Sequence, residues 1–211
     1  NDTATPEIST LSLHDALPIC IGPTYADRYD RVGLRMADLL DEVSLREALQ
    51  RTQNVRACQT TDDAPNVESM LKPLLEVGEK LRKYVADTSL MLAEAMAENK
   101  NILFEGAQGA LLDIDHGTYP FVTSSNTVAA KAAIGSGVGP GVVGHVLGIA
   151  KAYTTRVGSG PFPTELTDEI GQLLGERGHE FGVVTGRKRR CGWFDATLVR
   201  QTIKEIGRAH V

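Results

Sequence analysis

Residues 101–109 read NILFEGAQG: a short apolar run ends at Glu105 and passes at once into a glutamine held between glycines, Gly106-Ala107-Gln108-Gly109. An apolar run of this length predicts a buried strand, and the turn at its carboxyl end is where ligands collect in open α/β sheets. Gln108 offers one amide acceptor and two donors there, which suits the edge of a purine base. Working outward, 17 of the 21 glycines lie between residues 101 and 192, and only Gly22, Gly33 and Gly78 come earlier. The first half is therefore expected to be helical and the second rich in loops.

Residues 34–51 place Leu39, Leu40, Val43, Leu45 and Leu49 near helical spacing, and Ser44 with Glu47 fits a capping box, predicting two short helices joined near Ser44. Residues 62–66 (DDAPN) read as a loop. Beyond it Val67, Met70, Leu71, Leu74, Leu75, Leu81, Tyr84, Val85, Thr88, Leu92 and Met96 form a stripe of period near 3.6, although Pro73 and Gly78 argue against one unbroken helix. After residues 101–105, a helix is expected over 124–133, irregular backbone over 135–141 (GSGVGPG) and a second buried strand over 146–153. Helices follow over 168–177, capped by Thr167, and over 193–204. The economical fold is one α/β domain with a helical insertion, residues 34–100 mainly helical and 101–204 α/β with ligand loops.

The 211 residues carry 22 Lys+Arg against 27 Asp+Glu, a net charge of −5, which argues against broad binding to nucleic acid or anionic lipid. No apolar run reaches membrane-spanning length. Cys20, Cys58 and Cys191 show no CxxC spacing, so reduced, cytoplasmic chemistry without a disulfide framework or zinc site is expected. Both ends read as foreign. NDTATPEISTLSLHDALPI (residues 1–19) resembles the translation of a sequencing-library adapter, and EIGRAHV (205–211) that of the opposite adapter, so segments 1–20 and 205–211 are set aside and 21–204 is taken as natural sequence. Without Asp2, Glu7, Asp15, Glu205 and Arg208 the net charge becomes −2.

Residues 182–190, GVVTGRKRR, carry the strongest chemical signal: glycines let backbone N–H groups turn toward an anion, and guanidinium forks clamp carboxylate or phosphate at two points. Arg187 and Arg189, two apart, point the same way if the loop is extended; a solvated basic loop is the competing reading. Trp193, just beyond, is expected to pack in the core. In residues 105–127 (EGAQGALLDIDHGTYPFVTSSNT), Thr123, Ser124 and Ser125 are placed to donate to a phosphate at a helix N-terminus. Asp113, Asp115 and His116 have the residue types of a metal or acid–base set, but Asp-x-Asp-His has poor specificity and structural hydrogen bonding is the favoured reading. His145 and His179 are read as structural, and Gly135–Gly139 as a weak nucleotide signal without a phosphate-binding lysine.

The strings FEGAQGALLDIDHGTYPFVTSSNT, LGIAKAYTTRVGSGPFPTEL, FGVVTGRKRRCGWFD and IGPTYADRYDRVGLR closely resemble the adenylosuccinate synthetase family, from about Ile21 to Lys204 and most loosely over residues 42–100. The resemblance implies a P-loop-NTPase-like, mostly parallel sheet and the GTP-dependent ligation of IMP to L-aspartate, with Mg2+, in AMP biosynthesis. By position, Arg187 and Gln108 match nucleotide contacts, Gln108 lying near the activated base in a supporting catalytic role, and Thr123 matches an IMP phosphate contact. Arg31 matches an arginine that reaches IMP in the partner subunit of a homodimer. Val183, Val184, Thr185, Gly186, Arg187, Lys188 and Arg189 match the aspartate loop, and Arg189 also a GTP contact; Val184 and Cys191 stand where the family often has threonine. The family's phosphate loop, catalytic aspartate and histidine, and guanine-reading element have no match in this sequence, so the chain reads as a central fragment, inactive by itself. The alternative is a non-catalytic phosphate- or nucleotide-binding module.

Overall fold

The structure, a computed structural model, describes residues 21–56, 66–182 and 186–206. It divides into two compact units, Asn1–Asp87 and Thr88–Val211.

The first unit is helical. Helix α1 (Gly22–Tyr29) carries Pro23 in its first turn, where a missing N–H costs nothing. The chain leaves it through Arg31, in the left-handed region at φ 62°. Arg56, closing α2 (Glu42–Arg56), pairs with Asp27 and Asp30 at 2.6 and 2.8 Å and so ties α2 to α1. The break expected near Ser44 falls earlier: residues Asp38–Leu40 form a 3-10 turn, and the Asp41 carboxylate caps α2 by accepting from the Ser44 N–H at 2.8 Å. Asn66 caps α3 (Val67–Leu81) in the same way through Ser69.

As expected, the stripe is not one unbroken helix, but the break is not at Pro73 or Gly78, through which α3 runs. Tertiary packing overrides the local preference. Val67 and Leu71 of α3 bury against Leu45 and Leu49 of α2, surrounded by Leu39, Met70, Leu74 and Leu75. Each such burial is worth about 1.5–3 kcal/mol, comparable to the proline penalty. Gly78 is buried where a β-carbon would overlap the Leu39 carbonyl oxygen, so its missing side chain is what admits the close approach. The stripe breaks only after Leu81, in a 3-10 turn (Arg82–Tyr84) and an extended Val85.

The second unit holds α4 (Thr88–Ala97), α5 (Lys131–Ser136), α6 (Glu169–Arg177) and α7 (Ala196–Ile206). Its sheet pairs β1 (Thr154–Arg156) antiparallel with β2 (Arg190–Gly192), in the register Thr154 to Gly192 and Arg156 to Arg190. Residues 164–166 join β2 as well, through Leu166 N–H to the Cys191 carbonyl (2.9 Å) and Trp193 N–H to the Thr164 carbonyl (3.0 Å).

Among the described residues the sheet is this two-stranded antiparallel pair, and the mostly parallel sheet expected is not seen. Among the described residues, 101–105 and 146–153 form no strand. Leu103, Leu147 and Ile149 there are 90%, 79% and 93% exposed. A strand is a paired state, and no described segment supplies these stretches with ladder partners. The helix expected over 124–133 shrinks to α5, which takes in Gly135 and Ser136, while Pro140–Val142 adds a 3-10 turn. Asp168 rather than Thr167 caps α6, accepting from the Ile170 and Gly171 N–H groups at 3.1 and 3.0 Å. Trp193 is half-exposed, not in the core. No helix among the described residues is long and apolar enough to cross a membrane.

Candidate functional site

Two loops of the second unit carry most of the candidate residues, and each is built around one buried acid: Asp113 and Glu180 are the buried charged residues among those described. Asp113 is fully buried. Its Oδ1 accepts from the Asp115 and His116 N–H groups (2.9 and 3.1 Å) and from the Asn126 amide (3.2 Å), and its Oδ2 from the N–H groups of Thr127 and Val128. Burial pulls its pKa up, the backbone donors pull it down by more, and the carboxyl settles at about 2. With its oxygens filled by protein donors, the structural reading of Asp113 holds. The same bonds exclude a helix begun at Ser124, which would need the Val128 N–H for the Ser124 carbonyl.

The fold-back continues with Thr123 N–H to the Leu112 carbonyl (2.8 Å) and Thr127 Oγ1 to the Gly109 carbonyl (2.7 Å). It brings together two residues fifteen positions apart: Gln108 Nε2 donates to Thr123 Oγ1 at 3.1 Å, with Gln108 exposed and in the left-handed region at φ 67°. The phosphate reading of Thr123, Ser124 and Ser125 at a helix N-terminus changes, since the helix starts only at Lys131.

The second loop is a hairpin closed by Arg189 N–H to the Glu180 carbonyl and Gly182 N–H to the Arg187 carbonyl, both 2.8 Å, with a bridge between Phe181 and Lys188. Gly186 turns at φ 65°. Arg187 and Lys188 are exposed, whereas Arg189 is half-buried with Nη1 on Glu180 Oε2 at 2.8 Å, so the two arginines do not share one environment. Arg190 is committed to structure: it makes a two-point pair with Glu165 and donates to the Gly158 and Gly160 carbonyls. Val183, Val184 and Thr185 lie outside the described residues. Arg31 is exposed and sits in the other unit.

Arg156 links the two loops. From β1 its Nη2 donates to Thr118 Oγ1 (2.9 Å) and the Phe121 carbonyl (3.1 Å), its Nε donates to the Ser159 carbonyl (2.9 Å), and β1 pairs with β2, which follows the hairpin directly. Neither Arg156 nor Glu180 stood out in the sequence. A single arginine on a short strand and a single glutamate before a basic loop read as solvated charge; only the apolar and glycine-rich settings of both gave a signal.

The family model described as Adenylosuccinate synthetase matches residues 19–210. The chain belongs to the adenylosuccinate synthetase family. It is 54% identical over 191 residues to the adenylosuccinate synthetase of Microcystis aeruginosa (strain NIES-843 / IAM M-2473), an alignment covering 89% of this chain and 43% of that protein. Its fold resembles that of the fully ligated adenylosuccinate synthetase from Plasmodium falciparum, with a TM-score of 0.75 and 37% identity over 83% of this chain and 41% of that one. The chain thus spans less than half the length of these synthetases.

Proposed function

We propose that this chain supplies the base-, phosphate- and aspartate-binding loops of a GTP-dependent ligase joining IMP to L-aspartate. The observation that carries this is the Gln108–Thr123 hydrogen bond: two residues assigned to one nucleotide by resemblance touch side chain to side chain. The 6-oxygen of a purine is a poor leaving group. The γ-phosphoryl of GTP is therefore transferred to it, giving GDP and 6-phosphoryl-IMP, and the aspartate amine then attacks C6 and expels phosphate. Gln108 positions the base, Thr123 holds the IMP phosphate, and the hairpin of Gly186, Arg187, Lys188 and Arg189 receives aspartate, with Arg189 also toward GTP. The apolar stretches 101–105 and 146–153 have the composition of parallel-sheet strands, which we assign to the complete enzyme.

Magnesium belongs to the family's chemistry, but no three His, Cys, Asp or Glu side chains among the described residues are grouped to hold a metal ion, so these residues do not fit it.

In a full-length synthetase carrying this segment, Arg187→Lys should lower kcat/KM at least about tenfold despite keeping the charge, because an ammonium cannot reproduce a planar two-point clamp. Steady-state titrations of IMP and aspartate check this; constants like those of the wild type would remove Arg187 from the site. The assignment of Arg31 to a neighbouring subunit predicts complementation. An Arg31→Leu subunit mixed with a Gln108→Ala subunit should regain activity, since one hybrid site receives both intact groups. A verified heterodimer that stays inactive would exclude sharing.

A further inference from the structure

Glu180 is 4% exposed and lies among three donors: Lys151 Nζ and Tyr153 OH both reach Oε1 at 2.6 Å, and Arg189 Nη1 reaches Oε2 at 2.8 Å. The pairing with Arg189 is double, because the Arg189 N–H also donates to the Glu180 carbonyl across the base of the hairpin. Tyr153 and Lys151 lie just before β1, so the acid bridges the strand region and the ligand loop. Arg189 also lines an open cleft of about 570 Å³ at the start of α6, with Lys188, Glu165 and Gln172 among its neighbours there. Its Nε is buried, and no described residue accepts from it. In a guanidinium the Nε and Nη2 hydrogens form one edge, and Glu180 occupies only Nη1.

We infer that Glu180 is a positioning residue that clamps Arg189 from behind, so that the part of the arginine lining the cleft is held for an anionic group of the substrate. The inference rests on the reading of Arg189 as an aspartate and GTP contact. The geometry adds the reason this arginine stays put: one oxygen of a buried carboxylate fixes it, and Tyr153 and Lys151 fix the other. A buried carboxylate held by three donors remains ionised, which keeps the arginine anchored over the pH range in which an enzyme works.

The test is made in a full-length synthetase carrying this segment. Glu180→Gln keeps the size but turns an amide donor toward the guanidinium. It should raise KM for aspartate or GTP tenfold or more while KM for IMP stays within twofold. In an Arg189→Ala background the same substitution should add less than twofold, because its effect runs through the arginine. A uniform rise for all three substrates, a fall in kcat alone, or full additivity with Arg189→Ala would overturn the inference and leave Glu180 as general structural support. Should Glu180→Gln fail to fold, Tyr153→Phe decides. It loosens Glu180 without touching Arg189 and should raise the aspartate KM a few-fold; an unchanged value overturns the inference. Two other failures are distinguishable from these. An active enzyme whose Arg189→Ala variant keeps its aspartate and GTP constants removes Arg189 from the site, and a wild-type enzyme that makes no adenylosuccinate removes the function itself; either outcome takes the inference with it.

Discussion

Replacing Asp113 by alanine should cost the second unit about 3–5 kcal/mol, because a fully buried acceptor disappears and several N–H donors lose their partner together. Trp193, the one tryptophan of the chain, lies in the same unit and reports its urea unfolding. Asp113→Asn, which keeps the shape but turns an NH2 group toward donors, should lie between alanine and wild type. In the full-length enzyme either change should also weaken IMP binding at least tenfold, since the fold-back that brings Thr123 to Gln108 depends on this carboxylate. An Asp113→Ala protein with an unaltered urea midpoint would refute the argument.

The second large effect is acid destabilisation. Asp113 and Glu180 both settle at about 2; burial opposes this in each, and is outweighed by backbone N–H donors for Asp113 and by Lys151, Tyr153 and Arg189 for Glu180. A carboxyl whose folded pKa lies below its ordinary value adds stability that is complete above that ordinary value and is lost as pH falls toward the folded one. The window therefore runs from about pH 4.5 down to about pH 2, and the contributions are roughly 2–3 kcal/mol each. Urea midpoints followed at pH 7, 4 and 3 should fall through this range, and Glu180→Gln should flatten the part that Glu180 supplies. Equal midpoints at pH 7 and pH 3 would contradict both assignments.

The parts of this architecture that could be read in advance are those encoded locally. The stripe through Val67, Leu71 and Leu75 gave α3, and the structural hydrogen bonding favoured for Asp113 is what its carboxylate makes. What escaped reading depends on distant partners. Pro73 argued for a break, but the Leu45–Leu49 face of α2 and the Leu39 carbonyl over Gly78 decide otherwise, from 24 or more positions away. Residues 101–105 and 146–153 have strand composition, yet composition cannot provide a hydrogen-bonding neighbour. At the candidate site, matching strings pointed to Gln108, Thr123 and the arginine loop, while the acids and the arginine that hold these segments in place became visible only with the fold.

The two ligand loops are each closed by partners near in sequence: Asp113 reaches Val128 across fifteen residues and Glu180 reaches Arg189 across nine. Closure entropy rises only logarithmically with loop length, and contacts this local form without waiting for the rest of the chain. Each loop is thus tied mainly by contacts within itself, with Arg156 and the β1–β2 pair as links between them. Loss of one buried acid should therefore open its own loop before the other, a difference that amide hydrogen exchange would resolve.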